Sequence, residues 1–405
     1  MDFFNNLILS SENLKSNLKT IKKQVGLKKI CAMVKANAYG HDLKFVVLNL
    51  KHDVDFFGVA NCFEALEVRR YAQKNKILVC GKVSKENIKT MIEKNISLTV
   101  YSIKNLIEII NICKKEKLKS NIHIKLNTGM NRLGVKNKST FLKMLDKINK
   151  NKRYINLEGV YSHLFNSENL GLSHTQYNQF LNLLNCINIY NKLFLNKNKN
   201  KQKIGKFIKN RRCKLLNIYA SKNCENGILQ KPYEFKNLIV HLENSAGIFN
   251  NVDYLNVCNM VRTGIALYGL EIKNKGLKPV LSLNSKIVQI QKVREEDYVG
   301  YGKVIMEKDG KVAVVPIGYA DGIIKAYKNQ IVYVNNSPCK ILNVCMDSIL
   351  IDVTSCSAKV GDDVCLISQN MKNQNSVNLI AKNLNTISYE IVTNLHHNRM
   401  NIIYK

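Results

Sequence analysis

The sequence predicts a (β/α)8 barrel followed by a mostly β domain, and three observations carry that expectation. Between Ile30 and Gly264 short apolar runs alternate with longer stretches of helical period, eight times over. From about Gly276 onward the pattern changes to short strand-like runs separated by turn residues. The chain has 405 residues, 45% of them apolar, which is enough for two or three domains with a sizeable core.

Taken in order, Leu14, Leu18, Ile21 and Val25 recur at spacings of four, three and four, so residues 11–25 form a helix that Ser10 or Ser11 can cap. The first barrel strand is Ile30 to Lys35. Seven further strands follow at Phe56 to Ala60, Ile77 to Gly81, Ser97 to Val100, Ile122 to Asn127, Leu157 to His163, Leu238 to Asn244 and Val257 to Gly264. Helical stretches lie between them, as at Glu64 to Lys74, Asn105 to Lys117 and Gln176 to Asn191. The barrel is placed at 10–270 and the β domain at 271–405, with residues 1–9 free to pair with the latter. Strands of that second domain are expected at Leu281 to Gln291, Lys311 to Pro316, Gln330 to Val334, Cys339 to Val344, Ser348 to Val353 and Asp363 to Ile367. Turns separate them at Lys308-Asp309-Gly310 and Asn335-Asn336-Ser337-Pro338.

The connection from Asn191 to Pro232 is far longer than the few residues usual between such elements, so an insertion is expected at about 192–236. Lys192 to Lys214 holds ten basic residues and no acidic one, and its Asn/Lys repeats carry too little apolar surface to fold alone. A solvated loop accounts for it without a polyanion partner. The net charge of +32 comes from lysines spread along the whole chain, as a compositional bias produces, so no nucleic-acid partner is inferred. Twelve cysteines show no Cys-x-x-Cys pair and no regular spacing, which indicates neither a zinc site nor a disulfide framework. Buried free thiols, no apolar run of membrane-spanning length and no leader pattern together give the expectation of a cytoplasmic protein.

Chemistry-bearing residues gather at the ends of the expected strands. The apolar run Ile30 to Val34 stops at Lys35, followed by small residues and Gly40. A lysine at the carboxyl end of a barrel strand faces the ligand and can form a Schiff base with an aldehyde cofactor; a solvated lysine in a strand-to-helix turn is the plain alternative. The fifth strand runs through Lys125 into Arg132, the sixth ends Tyr161-Ser162-His163, the seventh Glu243-Asn244-Ser245 and the eighth Val261-Arg262-Thr263-Gly264. Each alone could be a capped turn. Together with Lys35 they mark one rim, where a barrel assembles its chemistry.

Several of these stretches resemble alanine racemases. They are Val-Lys-Ala-Asn-Ala-Tyr-Gly-His at 34–41, Lys-Leu-Asn-Thr-Gly-Met-Asn-Arg-Leu-Gly at 125–134, Tyr-Ser-His at 161–163, Asn-Ser-Ala at 244–246 and Arg-Thr-Gly-Ile-Ala-Leu-Tyr-Gly at 262–269. In the second domain Gly300-Tyr301-Gly302, Gly318-Tyr319-Ala320-Asp321-Gly322, Cys345-Met346-Asp347 and Ile387-Ser388-Tyr389-Glu390 continue the match in family order. The resemblance implies pyridoxal 5'-phosphate as cofactor, racemisation of alanine by two bases, and supply of D-alanine for peptidoglycan. It gives Lys35 the cofactor and one proton, and Tyr301 the proton on the opposite face. His163 and Arg262 become a hydrogen-bonded relay that favours phenolate, Arg262 also facing the pyridine nitrogen. Tyr39, Ser245, Tyr389 and the backbone of Gly264 and Ile265 hold the phosphate, and Arg132 and Met346 bind the substrate carboxylate. Lys125 matches a lysine carbamylated in many members. A head-to-tail homodimer is implied, Tyr301 and Met346 acting across the interface.

The chain departs from the family pattern at Asn127 for Asp, Asp42 for Gly, Ile-Ile-Lys-Ala-Tyr after Gly322 where Pro-Arg is usual, and Asn343 for an arginine. Two other classes compete. A decarboxylase of similar architecture normally uses a Gly-rich phosphate loop and a carboxylate on the pyridine nitrogen, and neither is found. A non-catalytic cofactor carrier has no need of Tyr301 or a full β domain.

Overall fold

The computed structural model describes residues 4–194, 238–250, 257–272 and 275–405. The expected insertion therefore lies outside the described residues, save for the end of the helix Leu170–Phe194. The chain forms two compact units. One comprises Val25–Met33 and Val54–Thr263; the other comprises Met1–Gln24, Val34–Asp53 and Gly264–Lys405.

The first unit is the barrel. Strand β1 (Asn6–Leu9) belongs to the other unit, so the barrel strands are β2 (Lys29–Met33), β3 (Phe56–Val59), β4 (Lys76–Val79), β5 (Ile96–Val100), β6 (Ser120–Lys125), β7 (Ile155–Tyr161), β8 (Ile239–His241) and β9 (Met260–Thr263). All eight pair in parallel in the order β8-β7-β6-β5-β4-β3-β2-β9. The ends of that row are tied as well: Asn259 N–H donates to Val240 O at 3.0 Å and Arg262 N–H to Glu243 O at 3.0 Å. The strands are buried on both faces, which is why they read as continuous apolar runs rather than alternating ones. Side-chain caps start the intervening helices. Asn61 accepts from Glu64 N–H ahead of Cys62–Tyr71, and Ser102 from Asn105 N–H ahead of Ile103–Glu116.

The second unit is built on a nine-stranded sheet. Its later strands are β10 (Leu281–Lys286), β11 (Gln289–Val293), β12 (Gly310–Val315), β13 (Ile331–Val334), β14 (Ser337–Val344), β15 (Ile349–Asp352), β16 (Asp363–Ile367) and β17 (Asn401–Tyr404). The sheet order is β11-β12-β15-β14-β13-β16-β10-β1-β17, with β1 antiparallel to β10 and parallel to β17. The run read as one strand from Leu281 to Gln291 is two strands, because the chain leaves the β10 ladder at Ile287 and Val288 and pairs anew with β12. Asn335 and Asn336, with φ of 48° and 65°, make the two-residue hairpin turn between β13 and β14. Pro338 is thus in the strand rather than the turn, opposite Tyr333. Asn17, fully buried on the leading helix, donates to Leu267 O and Lys278 O and accepts from Lys278 N–H. Ten cysteines among the described residues are free, no described helix is long and apolar enough to cross a membrane, and no described group of His, Cys, Asp or Glu could hold a metal ion.

Candidate active site

Lys35 lies two residues beyond the end of β2 and opens an unusual turn. Ala36, Asn37, Ala38 and Tyr39 have φ of 52°, 50°, 53° and 56°, one left-handed helical turn without a glycine. Such backbone costs roughly 1–2 kcal/mol per residue, so neighbours must hold it. Within the turn Ala38 N–H donates to Val34 O. Asn37 accepts from Leu43 N–H at 2.8 Å and its amide nitrogen lies 3.2 Å from His397 Nδ1. The His397 Nε2–H donates to Gly40 O at 3.0 Å. Asp42, at φ 59°, offsets its own left-handed backbone by capping the helix Leu43–Leu50 through Phe45 N–H. An aspartate can thus stand where the family pattern has glycine.

Aromatic rings line this turn. Tyr39 lies with its centroid 5.2 Å from Tyr268 and 5.7 Å from Tyr389, and Lys35 Nζ is 5.8 Å from the Tyr39 centroid. His41 is fully buried, stacks on Tyr268 at 4.4 Å, and donates from Nδ1 to Tyr39 O. Burial pushes its pKa down to about 3, so it is neutral. Gly264 and Ile265, both buried, begin the segment that leads to Tyr268.

In the barrel unit the centre is Arg262, on β9 and 4% exposed. Its Nη2 donates to Ser162 O at 2.6 Å and Leu242 O at 3.0 Å and lies 3.4 Å from His163 Nδ1. Its Nη1 lies 2.7 Å from His241 Nδ1. A guanidinium only donates, so His241 accepts at Nδ1 and carries its proton on Nε2. That proton is shared with His123 Nδ1 at 2.9 Å, and His123 Nε2–H then reaches Glu158 Oε2 at 3.1 Å. Lys76 and Ser97 also hold Glu158. Burial lowers the pKa of both imidazoles, with the Arg262 charge adding to the effect at His241. Burial alone would raise Glu158, but hydrogen bonds from His123, Lys76 and Ser97 outweigh it and keep the carboxylate ionised. A polarised line thus runs through the barrel interior from Glu158 to Arg262.

Lys125 ends β6, is buried, and places Nζ 5.6 Å from the Tyr161 centroid, the ring that Arg262 approaches at 5.0 Å. Arg132 is exposed, beyond a loop in which Asn127 Oδ1 accepts from the N–H groups of Gly129 and Asn131. Asparagine serves that loop as an aspartate would. Ser245 is buried and follows β8 at the head of the helix Ser245–Asn250.

In the second unit Tyr301 is 69% and Met346 52% exposed. The segment carrying Met346 is fixed by Ala320 N–H to Met346 O at 3.0 Å, and by Arg399, which bonds both Asp321 and Asp347. Asn343, the departure from arginine, donates to Val299 O and Tyr301 O. The structure thus brings His163 to Arg262 in one unit, and Lys35, Tyr39 and Tyr389 together in the other. Sequence reading missed His241, His123, Glu158, Tyr268 and His397. A histidine inside Ile122-His123-Ile124 or Val240-His241-Leu242 was the available signal, because an apolar strand has little other use for one.

The family model described as alanine racemase, N-terminal domain, matches residues 9–196 and 222–272, and that described as alanine racemase, C-terminal domain, matches residues 280–404. An alanine racemase of Francisella philomiragia is 33% identical over 406 residues, covering 97% of this chain and 98% of that protein. Among solved structures, the alanine racemase of Clostridium difficile 630 superposes with a TM-score of 0.81 at 28% identity, over 100% of this chain and 96% of that one. The alanine racemase of Bacillus anthracis with bound L-Ala-P gives a TM-score of 0.81 at 27% identity, with coverage of 100% and 96%.

Proposed function

The chain belongs to the alanine racemase family, and we propose that it interconverts L-alanine and D-alanine with pyridoxal 5'-phosphate, using Lys35 and Tyr301 as the two proton carriers. The observation that carries this reading is the setting of Arg262. Its two terminal nitrogens are committed to His241, Ser162 and Leu242, while Nε makes no hydrogen bond among the described residues. A buried guanidinium that keeps its Nε–H and one Nη1–H to spare suits a neutral ring nitrogen that accepts a hydrogen bond. It fits the cofactor's pyridine. The rings of Tyr39, beside Lys35, and Tyr389, beside Tyr39, carry hydroxyls of the kind that suit its phosphate.

Lys35 would hold the cofactor through its amine, Tyr39, Ser245, Tyr389 and the N–H groups of Gly264 and Ile265 its phosphate, and Arg262 its ring nitrogen. The bound cofactor supplies an electron-withdrawing system for the pair left at Cα. Because Arg262 keeps its proton, that withdrawal is weaker than with a carboxylate partner, which favours brief, reversible deprotonation. The Lys35 amine takes or returns the proton on one face of Cα and the Tyr301 phenol on the other. A phenol with an ordinary pKa near ~10 needs help to act as a base, and His163 with Arg262 supplies positive charge and donors for it. Arg132 and the Met346 backbone bind the substrate carboxylate. Lys125, a buried cation beside the same ring as Arg262, is relieved of like-charge cost if carbamylated.

The exposure of Tyr301 and Met346 supports a head-to-tail homodimer, since a proton carrier works best where water is excluded. A cytoplasmic setting and D-alanine supply for peptidoglycan complete the proposal. The test is a coupled assay for D-alanine formed from L-alanine by the purified dimer. Carbon dioxide release instead would point to a decarboxylase, and cofactor binding without turnover to a carrier.

A further inference from the structure

Tyr301 sits between two glycines in left-handed backbone, Gly300 at φ 70° and Gly302 at φ 82°. Glycines at these positions cost little strain but leave the chain many alternatives, so something else must fix the tyrosine. On one side Val299 N–H donates to Val304 O at 2.8 Å. On the other stands Asn343, 8% exposed, whose amide nitrogen donates to Val299 O at 2.7 Å and to Tyr301 O at 2.8 Å. These carbonyls bracket Gly300. The orientation of the amide is decided by its partners, because the reverse would set its oxygen against two carbonyl oxygens, and Val344 N–H donates to Oδ1 at 2.9 Å. A second observation concerns the strand itself. The β14 register against β15 shifts between Ile341 and Asn343, and a bulge of this kind re-aims a side chain.

We propose that Asn343 is a positioning residue for Tyr301, setting where the phenol stands by clamping the backbone on both sides of Gly300. The inference rests on the reading that Tyr301 carries a proton in racemisation. Asn343 itself touches no reacting atom. Its amide is buried and its two N–H groups are spent on backbone, so replacing it loosens the turn rather than removing a substrate contact.

The test compares two rates in the loaded dimer: racemisation of L-alanine, which needs both carriers, and exchange of the D-alanine α-hydrogen with deuterated water, which needs Lys35. Asn343→Asp keeps the shape and removes both donors. It should lower racemisation kcat about tenfold to hundredfold, the range expected for a misplaced catalytic group, and lower exchange much less. In a Tyr301→Phe background the same substitution should add nothing to the loss. Asn343→Ala, which places no charge in the site, carries the same expectation if the aspartate variant does not fold. Equal losses in racemisation and exchange, an undiminished loss in the Tyr301→Phe background, or wild-type racemisation in Asn343→Asp would each overturn the proposal. A wild-type enzyme that neither racemises nor exchanges would instead overturn the functional reading beneath it.

Discussion

Ala36 to Tyr39 hold φ between 50° and 56° with no glycine among them, whereas Tyr301 stands between two glycines whose positive φ costs little. The first turn is strained and enclosed: Ala38, Tyr39 and His41 are buried, and side chains from distant positions, His397 above all, clasp it. The second turn is relaxed and exposed, and one side chain, Asn343, clamps it. The difference teaches how each proposed carrier gains precision. A strained turn has few alternatives once packed, so its lysine is fixed by its surroundings as a whole. A relaxed turn has many, so its tyrosine depends on a single clamp.

The largest expected effect removes the lysine. Lys35→Ala should abolish both the visible absorbance of the lysine-held cofactor and racemisation, and an active Lys35→Ala enzyme would sink the mechanism. Next, Tyr301→Phe should retain that absorbance and lower racemisation by about 10²–10⁴-fold, the usual contribution of a general acid or base. A Tyr301→Phe enzyme that lost its cofactor would show that the two turns are not separable.

Glycine substitutions sharpen the same contrast. A Cβ on Gly40 would lie 1.9 Å from Val392 O, so Gly40→Ala must push apart the strained turn and its support. About 3 kcal/mol or more of stability should be lost, measured by urea unfolding. At Gly302 nothing lies within 4 Å of the added carbon, and only the φ of +82° opposes it. Gly302→Ala should cost about 1 kcal/mol. Comparable losses at the two sites would mean that the Lys35 turn is no more tightly held than the other.

The barrel strands were legible because a strand buried on both faces shows as an unbroken apolar run with polar residues gathered at its end. Lys35, His163, Arg262 and Lys125 were all placed by that logic. The line from Arg262 through His241 and His123 to Glu158 was not, since a two-sided strand has no period to say which polar residue points inward. Handedness at Ala36 to Tyr39 was equally hidden. Alanine is a poor left-handed residue, and part of what holds the turn is His397, 360 positions from Asn37. The pairing of β1 with β17 joins the two ends of the chain, and no local signal marks it. Asn343 read as a missing arginine, and its role became visible only with the β14 bulge.

The smallest effect separates the two clasps by pH. His397 must donate from Nε2 to Gly40 O, because a carbonyl only accepts, so Nδ1 accepts from Asn37. A proton added at Nδ1 sets donor against donor and removes the Asn37 bond. Burial lowers the His397 pKa below its ordinary value, the Gly40 bond and the Asp42 charge opposing. The unfolded chain therefore takes up the proton first as pH falls. The stabilisation is complete above the unfolded value near ~6.5 and is lost as pH falls toward the folded one. Buried His41, pushed down to about 3, adds a loss of the same sign in the same turn. Asn343 does not titrate. On acidification from about pH 6.5 to about pH 5 the Lys35 turn should thus weaken before the Tyr301 turn, and cofactor absorbance should fall before the effect of Asn343→Ala on racemisation changes. His397→Gln, whose amide can donate to Gly40 and accept from Asn37, should flatten the pH slope of unfolding, reducing the stability lost over that interval by about 1 kcal/mol, one hydrogen bond's worth. An unchanged slope in His397→Gln would assign the acid sensitivity to His41 and leave the clasp at Asn37 with no titrating part.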